Sequence, residues 1–299
     1  IAPEEVLIAS TGVIGEPLPM DMIEAGIPNL VKTLDENGSD DAAKGILTTD
    51  TFTKTVAIEI DINGTTVRLG GIAKGAGMIH PDMATMLAFI TTDAAIEKKT
   101  LQNLLKESTD KSFNMITVDG DTSTNDTAII LANGLAENEL ITEKSPSSKI
   151  FSESLNFITS KLARMIVKDG EGATKLIEVH IIGAKDSHVA KAVAFAIARS
   201  NLVKTAFFGE DANWGRIIAA AGSAGVSFDP DKVDLFFGRE QVLKNGSYCG
   251  MGRDKKIGSV IKEGEIILTV DLNSGNKEAR ILTCDLSLDY VKINAEYRS

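Results

Sequence analysis

Few features of this sequence suit a metal, a redox pair or a membrane. Of 299 residues two are cysteines, Cys249 and Cys284. They form no Cys-x-x-Cys spacing, which excludes a zinc knuckle and a dithiol redox pair and leaves a reducing, cytoplasmic compartment as the expectation. The three histidines, His80, His180 and His188, lie at no metal-ligand spacing. His-Glu-x-x-His, Gly-x-Ser-x-Gly and Walker motifs are all missing, so neither a zinc site nor a histidine triad is expected. No apolar run reaches the roughly 18 residues that span a bilayer, and the opening Ile-Ala-Pro-Glu-Glu lacks the basic and apolar regions of a signal peptide. Positive charge is in deficit as well: 31 Lys and Arg against 42 Asp and Glu give −11. Such a field repels phosphate backbones and anionic lipid, so neither nucleic acid nor a membrane is expected as partner.

What is present is a globular composition, 43% hydrophobic and 5% aromatic, rich enough in apolar side chains to exclude disorder. Val6-Leu7-Ile8-Ala9-Ser10 reads as an early strand. Over residues 55–72, Val56, Ile58, Ile60 and Ile62 alternate on one face, Asn63-Gly64 supplies a turn, and Val67 and Leu69 alternate back, which predicts a β-hairpin. Met86-Leu87-Ala88-Phe89-Ile90 reads as a short buried strand. Helical periods mark Leu101, Leu104 and Leu105, then Leu155, Ile158, Leu162 and Ile166, then Val189, Val193 and Ile197. Further strands are predicted over 128–131, 177–182, 266–272 and 281–286, the last two around the turn Asn273-Ser274-Gly275-Asn276. Strands often follow one another through turns without regular strand-helix alternation. This predicts an α+β fold of mixed or antiparallel sheets covered by helices, not a doubly wound parallel sheet. A domain boundary is expected near residues 183–187, dividing the chain into 1–184 and 185–299.

Small polar residues in glycine-rich company occur at four places, and each has a bland explanation. Ser10-Thr11-Gly12-Val13-Ile14-Gly15 is either a strand end with glycine turns or a set of donors aimed at one point, as in an oxyanion hole. Lys74-Gly75-Ala76-Gly77 is glycine-rich, but Pro81 and a strand follow it, whereas a phosphate-cradling loop opens a helix. Thr85, where that loop becomes a strand, is either a residue of high β propensity or, were the bond before it cut, an N-terminal nucleophile whose own α-amine serves as base. Asp169-Gly170-Glu171-Gly172-Ala173-Thr174-Lys175 is either an exposed acidic turn behind a helix or a glutamate held against a substrate. Asn294 to Ser299 reads as a frayed tail. Asn213-Trp214-Gly215-Arg216 is read as packing and His80 as a solvated loop residue.

In this order the blocks Ser10–Gly15, Lys74-Gly75-Ala76-Gly77-Met78, Pro81-Asp82-Met83-Ala84-Thr85-Met86-Leu87, Asp169–Lys175 and Asn294–Ser299 resemble the ornithine acetyltransferase family, the glutamate N-acetyltransferases of arginine biosynthesis. The resemblance runs from Ile8 to the last residue. It implies a layered αββα-type sandwich with a smaller C-terminal α/β domain, and a nucleophile-bearing domain over 1–184 that is preceded by a further N-terminal segment. It also implies self-cleavage between Ala84 and Thr85, giving α and β chains that assemble as a dimer of cleaved pairs. Residue by residue, Thr85 is implied as nucleophile, Thr11 and Gly12 as the oxyanion hole, and Lys74 as a cation for an amino-acid carboxylate. Glu171 is implied to contact the substrate's amino end or assist proton transfer, while Asn294 and Ser299 complete the pocket and Thr51 is a weaker substrate contact. The implied reaction passes acetyl from N-acetylornithine to Thr85 and then to glutamate, with no metal or other cofactor; acetyl-CoA is left open as a second donor.

Two other readings compete. Self-processing aminopeptidases or amidohydrolases of related fold pass the acyl group to water, but a lysine and a glutamate matched to a zwitterion favour an amine acceptor. A scaffold that only binds is disfavoured because positions 85 and 171 both carry competent residues.

Overall fold

The computed structural model describes residues 2–80, 86–252 and 254–296. After a single 3-10 turn at Pro3–Glu5, residues 6–10 have no regular structure, and Ile8 is 85% exposed. The strand expected there does not form. A strand needs a neighbour to bond its backbone, and among the described residues no strand of either sheet pairs with this segment. Two helices follow, α1 (Met20–Lys32) and α2 (Ser39–Gly45), of which α1 buries none of its side chains.

The predicted hairpin comes next as β1 (Lys54–Ile62) and β2 (Thr65–Lys74), with Ile62 opposite Thr65. Asn63 and Gly64 both take positive φ, 54° and 87°. Positive φ at both central residues is what a two-residue turn matching strand twist requires. β3 (Leu87–Thr92) runs antiparallel to β2. After α3 (Lys98–Lys111), β4 (Thr127–Ala132) lies parallel to β3, giving a sheet of order β1-β2-β3-β4. The long helix α4 (Pro146–Lys168) crosses β1 and β2. Its row Phe151, Leu155, Ile158, Leu162 and Ile166 is fully buried. At about 1.5–3 kcal/mol per side chain, that row contributes on the order of 10 kcal/mol. Gly71 permits the close approach, since a Cβ there would lie 3.1 Å from both Ile158 and Leu162.

The second layer is built from β5 (Leu176–Ala184), α5 (Ser187–Ala198), α6 (Asn201–Phe208), α7 (Trp214–Gly222), β6 (Asp234–Phe237), β7 (Glu240–Lys244), β8 (Ser247–Tyr248), α8 (Asp254–Ile261), β9 (Glu265–Asp271) and β10 (Lys277–Cys284). The sheet order is β10-β5-β9-β6-β7-β8, with β5 and β9 parallel and the other neighbours antiparallel. α5 covers β5 and β10, and Asp186 caps it by accepting from the Val189 amide at 2.8 Å. The boundary expected after residue 184 falls at the end of β5. That strand nevertheless belongs with the later residues, because both its neighbours, β9 and β10, come from them. Leu176 still faces the first core, while Ile177, Val179 and Ile181 face the second. The last helix, α9 (Leu288–Glu296), returns to the first layer. Both sheets mix parallel and antiparallel pairs under helices, as the α+β expectation required. Among the described residues no helix is long and apolar enough to cross a membrane.

Candidate active site

Three chain segments converge beyond the end of β2. Lys74 closes that strand opposite Leu87 of β3, and Gly75, at φ 149°, turns the chain away while its amide donates to Asp50 Oδ1 at 2.7 Å. Past it, Met78 and Ile79 donate their amides to Asp119 at 2.6 and 3.0 Å. The second segment is the turn after α4, where the Glu171 amide donates to the Ala76 carbonyl at 2.9 Å. This docking depends on Gly77, because a Cβ there would come within 2.5 Å of the Glu171 carboxylate. The third segment is α9. Asn294 donates its side-chain amide to Glu171 Oε2 at 2.8 Å, and the Tyr290 hydroxyl donates to Asp119 at 3.4 Å. Gly172, at φ 66°, lets α9 come this close, as a Cβ would collide with the Tyr290 amide.

These segments enclose a cavity of about 330 Å³ lined by Thr11, Gly12, Lys74, Asp119, Glu171 and Asn294 among others. Lys74 is 1% exposed. Burial pushes its ammonium below the usual lysine range, and the carboxylates of Asp50 and Asp126 work against that shift. In the same lining, burial raises the Asp119 carboxyl despite its amide donors, and burial with the nearby carboxylates raises the Tyr290 phenol. The lining thus combines one lysine with the carboxylates of Asp119, Asp121 and Glu171 around a cavity of small-molecule size. A molecule with a carboxylate at one end and an amine at the other would find a partner for each.

A buried ionic cluster adjoins the turn at Gly75 through Asp50, which accepts from the Gly75 amide. Lys54, fully buried, donates to Asp50 and to Asp169, each at 2.5 Å. Asp50, whose burial raises its carboxyl, is nonetheless held below the usual carboxylate range by the Gly75 amide and Lys54. Asp169 also accepts from the Thr51 amide at 3.0 Å and from the Thr51 hydroxyl. Two carboxylates share one lysine in this cluster, and Asp50 among them acts electrostatically on Lys74.

The residues named from sequence fall into three groups. Thr11, Gly12, Lys74, Glu171 and Asn294 line one cavity. Thr51 does not join them; it is committed to Asp169 and lines a separate groove of about 550 Å³ with Phe52, Asp289 and Lys292. Ala84, Thr85 and Ser299 lie outside the described residues. The bland reading of Asp169–Lys175 as an exposed acidic turn fails, since Asp169 and Glu171 are 5% and 8% exposed. His80 is no solvated loop residue either: it bonds Thr117 and Arg199, each at 3.3 Å, and packs edge-on against Phe195. Asn213 caps α7 by accepting from the Arg216 amide, and Trp214 stacks on Tyr248, so that segment is packing as expected. Sequence reasoning missed Asp119, Tyr290 and Asp126. The polar run Asp119-Gly120-Asp121-Thr122-Ser123-Thr124-Asn125-Asp126, set between buried Val118 and β4, was the available signal for two of them. Among the described residues no group of three or more His, Cys, Asp or Glu could hold a metal ion.

The model of the ArgJ family matches residues 1–299. The chain belongs to the ArgJ family. The resemblance carried by the five sequence blocks is therefore borne out. The chain is 51% identical over 304 residues to the "Arginine biosynthesis bifunctional protein ArgJ" of Caldanaerobacter subterraneus subsp. tengcongensis, a match covering all of this chain and 75% of that ArgJ. It is 51% identical over 299 residues to the ArgJ of Symbiobacterium thermophilum, covering all of this chain and 74% of the relative. The crystal structure of the Bacillus halodurans ArgJ superposes with a TM-score of 0.67 at 44% identity, covering 70% of this chain and 98% of that one. The mixed-sheet architecture is thus the ArgJ fold.

Proposed function

We infer that this ArgJ-family chain is an acyltransferase of arginine biosynthesis that moves acetyl from N-acetylornithine to glutamate through an acetyl-enzyme on Thr85. The observation that supports this reading is the cavity itself, whose lining includes both Lys74 and the hydrogen-bonded Glu171–Asn294 pair. Lys74 takes the substrate's α-carboxylate, and Glu171, held by Asn294, receives the amine as it leaves or enters. Cleavage between Ala84 and Thr85 frees the Thr85 α-amine, which accepts the hydroxyl proton as Oγ attacks the acetyl carbonyl. The tetrahedral oxyanion is met by donors of Thr11 and Gly12. Its collapse breaks the C–N bond, and the ammonium formed on Thr85 returns its proton to departing ornithine. Glutamate then reverses the sequence, so both halves exchange one acylated α-amine for another. Acetyl-CoA as a second donor to the same threonine is compatible with this scheme.

The test is intact mass under denaturing conditions, before and after incubation with N-acetylornithine. Two fragments dividing at Ala84-Thr85, with one acetyl group added to the later fragment, are expected. An uncut, unacetylated chain refutes the reading. Acetate release at a rate indifferent to added glutamate replaces it with hydrolysis.

A further inference from the structure

Residues 119–125 form part of the cavity's lining, and Asp119 anchors them. Its carboxylate accepts from the Met78 and Ile79 amides at 2.6 and 3.0 Å, and from the Asp121 amide and the Tyr290 hydroxyl, each at 3.4 Å. Gly120, at φ 87°, turns the chain between the two aspartates. Asp121 lines the cavity as well, but its carboxylate makes no hydrogen bond or ion pair among the described residues. Asp119, Glu171 and Asp121 all act on one group: after burial, these three carboxylates raise the Tyr290 phenol.

Lys74 points to a ligand independently. It is 1% exposed and lines the same cavity, and its ammonium makes no hydrogen bond or ion pair among the described residues; Asp50 and Asp126 act on it from beyond ion-pair distance. A buried ammonium without a bonded partner is costly, and a ligand carboxylate removes that cost. The lining therefore sets one lysine against three carboxylates. A simple α-amino acid occupies one of each. Of the carboxylates, Asp119 is taken by its four donors, and Glu171, held by Asn294 at 2.8 Å, is taken by the α-amine. Asp121 is left for a further cation.

We propose that Asp121 is a specificity-determining residue of this cavity, pairing with the side-chain ammonium of a diamino-acid donor. The proposal rests on the acetyl-transfer reading above and names the group that selects its donor. In N-acetylornithine the α-carboxylate goes to Lys74, the acylated α-nitrogen lies at Glu171, and the δ-ammonium, three methylenes from Cα, reaches Asp121. A donor of the same length without the δ-amine loses that contact alone.

N-acetylnorvaline is such a donor, with hydrogen in place of the δ-amine. The test compares kcat/KM for acetyl transfer to glutamate from the two donors, in the wild type, Asp121→Asn and Asp121→Glu. Asp121 is exposed, and a charge pair open to water contributes less than a buried one. Asp121→Asn is therefore expected to lose about three- to tenfold with N-acetylornithine and to change by less than about twofold with N-acetylnorvaline. Asp121→Glu, which keeps the charge, should recover most of the loss. Equal losses with both donors, as a role confined to shaping the 119–125 wall would give, overturn the proposal and leave acetyl transfer standing; so does an Asn variant that uses N-acetylornithine as well as the wild type does. Wild type that transfers no acetyl from N-acetylornithine refutes the acetyl-transfer reading and the proposal with it. Should Asp121→Asn fail to fold, the wild type decides: a preference for N-acetylornithine over N-acetylnorvaline that declines with added salt supports pairing to an exposed carboxylate, and no preference, or one indifferent to salt, overturns it.

Discussion

Replacing Gly77 by alanine isolates the contact on which the cavity's acidic wall depends. Gly77 has no positive φ, so its backbone accepts an L-residue; the difficulty is space alone, with the new Cβ 2.5 Å from Glu171 Cδ and both carboxylate oxygens. These atoms end a flexible side chain, so the carboxylate swings away and the backbone stays. What is lost is the 2.8 Å bond from Asn294 and the aim of Glu171 into the cavity. A hydrogen bond to a charged group contributes about 1.5–3 kcal/mol. If that much is lost from the transition state, kcat/KM for acetyl transfer from N-acetylornithine to glutamate falls roughly tenfold to 150-fold. Stability should move far less, since Gly→Ala also restricts the unfolded chain by about 0.4–1 kcal/mol in the opposite direction. The assay is steady-state transfer with urea unfolding on the same samples, repeated with Glu171→Gln and with the double variant. Because both changes act through one carboxylate, the double variant should be little worse than Glu171→Gln. Wild-type kcat/KM in Gly77→Ala, or fully additive losses, would refute the assignment of Glu171 to the reacting substrate.

Lys54→Met should lower the unfolding free energy by about 3–5 kcal/mol, read from the urea midpoint, because it strands two buried carboxylates without their cation. A loss below 1 kcal/mol would show that Asp50 and Asp169 are neutralised another way. Asp126 also predicts a pH dependence of stability. Its folded carboxyl titrates near 6 against 3.8 unperturbed, so within that window the native state binds more protons than the unfolded chain. The unfolding free energy therefore falls as pH rises through the window, and Asp126→Asn should flatten that fall. Parallel stability curves for the two proteins would contradict it.

The elements legible in the sequence are those whose burial has a clean period. The hairpin was readable because Ile58 and Ile60 alternate with exposed Ala57 and Glu59, and α4 because one stripe from Phe151 to Ile166 is buried. β6 and β8 were not: the first is four residues with a register shift, the second two exposed residues, too short for a period to show. α1 escaped although its apolar residues are segregated on one face, because Pro28 within Met20–Lys32 argues against a helix there. For the site, the five blocks placed Lys74, Glu171 and Asn294, but the partners that hold them were hidden. Lys54 and Asp169 look like surface charges until the fold brings residues 115 positions apart to 2.5 Å. The Asp119–Tyr290 contact spans 171 positions, a separation at which local pattern carries no information.

The pairing of β2 with β3 has a consequence for any break in the chain between them. Six successive register pairs, from Leu69 opposite Thr92 to Lys74 opposite Leu87, stitch the two strands together, and β4 flanks β3 on its other edge. Scission of a peptide bond between the strands would leave this seam whole, with Leu69 and Ile90 still in the same core. The two pieces would then behave as one cooperative body, melting in a single transition and parting only in denaturant. Under native conditions, size measurements would not register the cut.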